Sequence, residues 1–112
     1  MNRAASVKHV LFVCSQNRLR SPTAEQMFAN RAGFEVASAA TDSAAERPVS
    51  PEWADVIFLM ERAHRNRLMK RFRPQLKSKR IVCLDIPDDF EYMAPALVKL
   101  LEAKVGPFFA RG

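Results

Sequence analysis

The chain has 112 residues, 48% of them apolar, which suits one small core and a single domain over residues 1–112. Eighteen Lys and Arg stand against twelve Asp and Glu for a net charge of +6, and no apolar run approaches the length that spans a bilayer, so a membrane partner is excluded. The first residues lack the apolar stretch of a secretory signal, and two cysteines in separate strand-like contexts point to a reduced, cytoplasmic protein rather than a disulfide-stapled one.

Taken in chain order, the pattern alternates strands and helices. A short apolar run predicts a buried strand over residues 8–13. A helix follows over 21–32, with Ser21 as N-cap, Pro22 at the first helical position and Gly33 as its stop. A second strand is expected over 34–38. Residues 41–50 then form a polar loop whose end Pro48 and Pro51 keep irregular, and Ser50, Pro51 and Glu52 start a short helical turn carrying Trp53. The nearly continuous apolar run 55–60 predicts a strand covered on both faces. A helix over 61–73 stops at Pro74, a fourth strand covers 80–84, and a last helix covers 94–105 before Gly106 and Pro107. Short connections between alternating elements imply an α/β three-layer sandwich: a four-stranded parallel sheet with helices on both faces and right-handed crossovers.

The chemistry concentrates after the first strand. Ligands of such sheets bind outside the carboxyl ends of the strands, where Cys14 lies. A loop between a strand end and a helix N-terminus points several backbone N–H groups at one spot and welcomes an anion. Residues Ser15, Gln16, Asn17, Arg18, Leu19 and Arg20 make up that cradle. The same field favours a thiolate at Cys14, and the Arg20 fork can grip two phosphoryl oxygens. Inorganic phosphate or sulfate is therefore an expected ligand of the loop. Nothing in the chain has the spacing of a metal-ligand cluster, and the chemistry needs no cofactor. A second cluster, Asp85, Asp88, Asp89 and Glu91, follows the fourth strand and emerges on the same edge of the sheet. Breaking a phosphoester near neutral pH calls for a positioned acid to protonate the leaving oxygen, and any of the three aspartates could supply it.

Residues 10–28 resemble the signature of the low-molecular-weight protein tyrosine phosphatases, V-L-F-V-C-x-G-N-x-C-R-S-P-x-A-E-x-x-F. Cys14, Asn17, Arg20, Ser21, Pro22, Ala24, Glu25 and Phe28 all fall on it. The resemblance implies a phosphatase acting through a phosphocysteine intermediate on a phosphorylated protein or small phosphoester. Cys14 would be the nucleophile and Arg20 the phosphate clamp. Asn17 would hold the loop's turn, Ser21 would donate to the thiolate, and Ser38 would brace the loop from the end of the second strand. Ile86-Pro87-Asp88 is similar to the family's acid segment, which favours Asp88 as general acid, then Asp89, then Asp85.

The chain departs from that pattern at named places. Gln16 replaces a glycine, and Leu19 replaces a second cysteine, which removes the usual disulfide partner of an oxidised catalytic thiol. A helix and a loop-bracing histidine are missing between residues 41 and 47, and the acid segment lacks the Pro-Tyr-type continuation after Asp88, the only tyrosine coming later at Tyr92. His64 falls on the apolar side of its helix and is expected to pack or cap, and Cys83 is expected in the core.

Charge is unevenly spread. Residues 62–80 hold nine Lys and Arg and no acid, whereas the rest holds nine basic residues against twelve acidic. Such a stripe is a solvated helix face, or it steers anionic substrates or binds nucleic acid. A non-catalytic module binding phosphate or nucleic acid through it is the alternative function. A thioredoxin-coupled arsenate reductase would need a further close pair of cysteines, and a phosphocysteine carrier would have little use for Arg20 and Asp88.

Overall fold

The computed structural model describes residues 7–14, 20–40, 51–76, 79–87 and 89–111, with the backbone alone at 51, 75 and 111. Four strands, β1 (Lys8–Cys14), β2 (Phe34–Ala40), β3 (Val56–Leu59) and β4 (Arg80–Cys83), form one sheet in the order β2-β1-β3-β4. Each neighbouring pair is parallel, with Phe12 level with Ser38 on one side and Phe58 on the other. Helices α1 (Arg20–Phe28), α2 (Arg62–Leu76) and α3 (Pro95–Arg111) complete the expected α/β sandwich, together with a 3₁₀ turn at Pro51–Trp53.

Alternation along the strands sorts the core into two layers. Val10, Phe12 and Cys14 of β1, with Val56 and Phe58 of β3, face α1 and α3, where Ala24, Phe28, Leu97, Leu101 and Val105 meet them. Leu11, Val13, Ile57 and Leu59 face the other way, onto Leu68 and Leu76 of α2. From β1 the chain crosses by α1 to one side, and from β3 it crosses by α2, on the opposite face, to the other side. Opposite directions on opposite faces keep a single handedness. They also open a crevice between the carboxyl ends of β1 and β3.

Several boundaries differ from expectation, each for a physical reason. Helix α1 opens at Arg20, so Ser21 lies inside its first turn and is not the N-cap. It ends at Phe28, and the chain turns back through Gly33, whose φ of +86° suits a residue without Cβ. The Gly33 carbonyl accepts the Lys8 N–H at 3.0 Å and so aligns the starts of β1 and β2. Pro74 does not stop α2. The helix breaks at Phe72 (φ −127°, ψ 27°) and resumes, placing Pro74 in the first turn of a short second segment where a missing N–H is tolerated. Pro107 likewise lies within α3, which runs on to Arg111. An interior proline costs about 3 kcal/mol. Beyond it, Phe109 stacks on Phe28 at 4.5 Å, and Phe108 meets Phe58 at 5.3 Å and Phe34 at 5.6 Å. Burying a phenylalanine contributes roughly 1.5–3 kcal/mol, so this pair offsets the proline.

The opposite end of the sheet is fastened by polar bonds. His9 Nδ1 donates to the Trp53 carbonyl at 2.9 Å, its ring stacks on Trp53 at 4.5 Å, and its backbone N–H donates to Asp55 Oδ2 at 2.8 Å. These contacts anchor the 3₁₀ turn that leads into β3.

Candidate active site

Cys14 is the last residue of β1 and Arg20 the first of α1, so the strand end and the helix start set both side chains. Both are nearly fully buried, Cys14 at 4% exposure and Arg20 at 3%. The Cys14 sulfur lies 2.9 Å from the Ser21 hydroxyl oxygen. With sulfur as thiolate, the hydroxyl is the donor. Ser21 is itself completely buried, so this contact is shielded from water.

The guanidinium of Arg20 reaches across the crevice. Its Nη1 donates to Glu61 Oε2 at 2.8 Å and to the Ile86 carbonyl at 2.7 Å. A buried cation without partners would be strongly destabilising, and here a carboxylate and a carbonyl hold it in one orientation. Glu61 lies just past β3, separated from it by Met60. Its backbone N–H donates to His64 Nδ1 at 3.1 Å, and its carbonyl accepts the His64 N–H at 3.0 Å. His64 thus caps α2 from within its own first turn, as packing or capping predicted. Ile86 belongs to the segment after β4, which hangs on β3 through Leu84 N–H to the Leu59 carbonyl and Ile86 N–H to the Met60 carbonyl, each 2.8 Å. Arg20 therefore ties together the ends of β1, β3 and β4.

Further polar contacts surround this centre. Buried Ser38 donates to Glu25 Oε1 at 2.5 Å, bracing β2 against α1. Thr23, also buried, accepts the Met93 N–H at 2.9 Å, which seats the turn carrying exposed Tyr92 on α1. Met93 is held at φ +60° there, a left-handed conformation that strains a residue with a long side chain. Asp85 is exposed with φ +57°, and Asp89 is exposed. Cys83 is a correction to expectation. It is half-buried rather than a core residue, and its thiol makes a long contact, 3.6 Å, to Asp85 Oδ1.

Asp88, the cradle residues Ser15, Gln16, Asn17, Arg18 and Leu19, and the loop 41–50 lie outside the described residues. Among the described residues no group of three or more His, Cys, Asp and Glu could hold a metal ion, and no helix is long and apolar enough to cross a membrane. Sequence reasoning did not assign a role to Glu61 or Glu25. The signal for Glu61 was its position, since a carboxylate just past a buried parallel strand emerges on the same edge as Cys14.

A buried cysteine at the carboxyl end of the first strand, beside a helix start that supplies an arginine, on a four-stranded parallel sheet, describes the small cysteine-dependent phosphatases. Residues 9–85 match the family model for low molecular weight phosphotyrosine protein phosphatase, and the chain belongs to that family. Its fold is similar to the YwlE arginine phosphatase from Geobacillus stearothermophilus, with a TM-score of 0.76 at 22% identity over 93% of this chain and 92% of that one. It is similar to Vibrio vulnificus Wzb in complex with benzylphosphonate, with a TM-score of 0.76 at 18% identity over 95% and 99% of the two chains. The tyrosine phosphatase Wzb from Escherichia coli K30 in complex with phosphate gives 0.73 at 17% identity over 94% and 98%. None of the curated proteins matches the sequence significantly.

Proposed function

We propose that the chain is a phosphomonoester hydrolase, and specifically a protein tyrosine phosphatase, that works through a phosphocysteine intermediate. The observation that carries this reading is the buried Cys14 sulfur 2.9 Å from Ser21 Oγ, with Arg20, the residue before Ser21, also buried and fixed by Glu61 and Ile86. The Cys14 thiolate attacks phosphorus in line, the S–P bond forming as the bond to the leaving oxygen breaks. Ser21 donates to the thiolate and holds it ready. Arg20 and the N–H groups of residues 15–20 stabilise the equatorial phosphoryl oxygens as charge builds on them. Asp88 gives its proton to the departing oxygen. The same carboxylate then takes a proton from water as water attacks phosphorus, the S–P bond breaks, and phosphate and thiolate are regenerated. The Arg20 bond to the Ile86 carbonyl, two residues before Asp88, supports an acid segment at this edge. Asn17 holds the turn of the cradle, and Ser38 supports it through α1. A cytoplasmic setting, where the free Cys14 thiol stays reduced, fits this chemistry.

Burst kinetics on an aryl phosphate test the reading. Wild type releases phenol and phosphate, Cys14→Ser loses turnover, and Asp88→Asn slows it by roughly 10²–10⁴-fold, the range of a positioned general acid. Full activity in Asp88→Asn would move the role to Asp89 or Asp85. Absence of turnover by freshly reduced wild type would overturn the hydrolase and bring forward the binding module.

A further inference from the structure

Helix α2 leaves the active site at Glu61 and carries the basic stripe away from it. Arg62, Arg65, Arg67, Lys70, Arg71 and Arg73 are all exposed along this one helix. Where the helix breaks at Phe72, a groove of about 770 Å³ opens against the first residues of β4. Arg65, Arg73 and Lys79 stand around it, and Met69, Leu76 and Ile81 form its apolar lining. The volume lies within the range of about 300–1,000 Å³ typical of ligand sites. Among the described residues none of the three cations enters an ion pair, and Lys79 Nζ donates to the Glu52 carbonyl at 3.1 Å. Among the described residues β4 is an edge strand, paired on one side with β3.

We propose that this groove docks an acidic segment of the phosphorylated protein substrate, with carboxylates on Arg65, Arg73 and Lys79 and one aliphatic side chain on Met69, Leu76 and Ile81. The inference rests on the phosphatase reading and adds the kind of substrate it takes. Charge complementarity names the partner's sign, and the apolar lining asks for more than charge. A single-stranded nucleic acid would instead want exposed aromatic faces for its bases. Phe72 is the only Phe, Tyr or Trp in residues 62–80, its ring packs on the α2-side core, and the Arg71 guanidinium covers it at 4.8 Å.

Geometry also sets a spacing. At about 1.5 Å per helical residue, Arg65 lies roughly 6 Å along the helix from Glu61, and the break at Phe72, with Arg73 just past it, roughly 16 Å. An extended peptide at about 3.3 Å per residue covers that stretch in roughly two to six residues. Acidic residues within that reach of the phosphorylated residue engage the groove, and those a dozen or more residues away do not.

Two measurements on the full chain test this. The first is fluorescence anisotropy of a fluorescein-labelled, unphosphorylated Asp/Glu-rich peptide with a single Leu, against a neutral peptide of equal length and an oligo-uridine RNA. Wild type binds the acidic peptide at least tenfold tighter than the neutral one, R65E/R73E loses at least tenfold, and R65Q/R73Q falls between. Raising salt weakens the binding. The second compares kcat/KM on phosphotyrosine peptides with the acidic tract near, far or absent. The near tract gives about a tenfold gain through KM, and R65E/R73E removes that gain while aryl phosphate hydrolysis is unchanged. Equal affinity for acidic and neutral peptides overturns the proposal, as does RNA binding tighter than the peptide through the same arginines. Retained peptide binding without any aryl phosphate turnover would strike the phosphatase reading alone.

Discussion

The two faces of the sheet are built differently. The face under α1 and α3 is aromatic and dense: Phe12 stacks on Phe28 at 6.1 Å and Phe58 at 5.4 Å, and Phe109 closes on Phe28 and Phe34. The face under α2 is mainly aliphatic and thinner, with Trp53 and Phe72 packed at its margin and Leu68 and Leu76 as the helix's buried apolar residues. Cys14 belongs to the aromatic face. The proposed nucleophile needs to be held to a fraction of an ångström, and packed rings with few rotamers supply that. The α2 face carries charge outward instead, and it holds the helix break at Phe72 and the open groove. The nucleophile candidate and the proposed docking groove thus lie on opposite faces of one sheet.

That division can be broken from either side. Phe28→Ala removes a fully buried ring with two aromatic neighbours and should lower stability by about 3–5 kcal/mol. Leu76→Ala, beside the groove where the surroundings can relax, should cost nearer 2 kcal/mol. Urea unfolding measures both, and equal losses would mean that the faces are equally rigid. Glu61→Gln comes next. The amide keeps a hydrogen bond to Arg20 but loses its charge, so kcat/KM on an aryl phosphate should fall roughly 10–100-fold, the scale of a misaligned clamp. A change under twofold would assign the clamp's orientation to the Ile86 carbonyl. The smallest effect is expected at Met93, where Met93→Gly relieves the left-handed backbone and should raise stability by up to about 1 kcal/mol. A fall in the thermal midpoint would instead show that the Met93 side chain holds its turn on α1.

Local signals carried much of this protein. Hydrophobic period and turn residues laid out four strands and three helices, and the Cys14 to Arg20 spacing marked the candidate site, because the strand end and the helix start are near neighbours in the chain. Helix ends were less legible. Pro74 and Pro107 are local stop signals, yet both lie inside helices, since the apolar residues beyond them, Leu76, Phe108 and Phe109, have core to reach. Ser21 looked like a cap because caps are judged by neighbours alone, whereas the fold puts its hydroxyl against the Cys14 sulfur.

The partners of Arg20 belong to tertiary structure entirely. Glu61 is 41 residues away and the Ile86 carbonyl 66, and no periodicity or capping rule spans such distances. Composition and spacing by themselves determined the fold class, the nucleophile candidate and the basic stripe, each being a property of contiguous residues. Only the folded sheet decided what fixes the guanidinium and where the stripe meets an apolar groove, because both arise where strands distant in sequence end side by side.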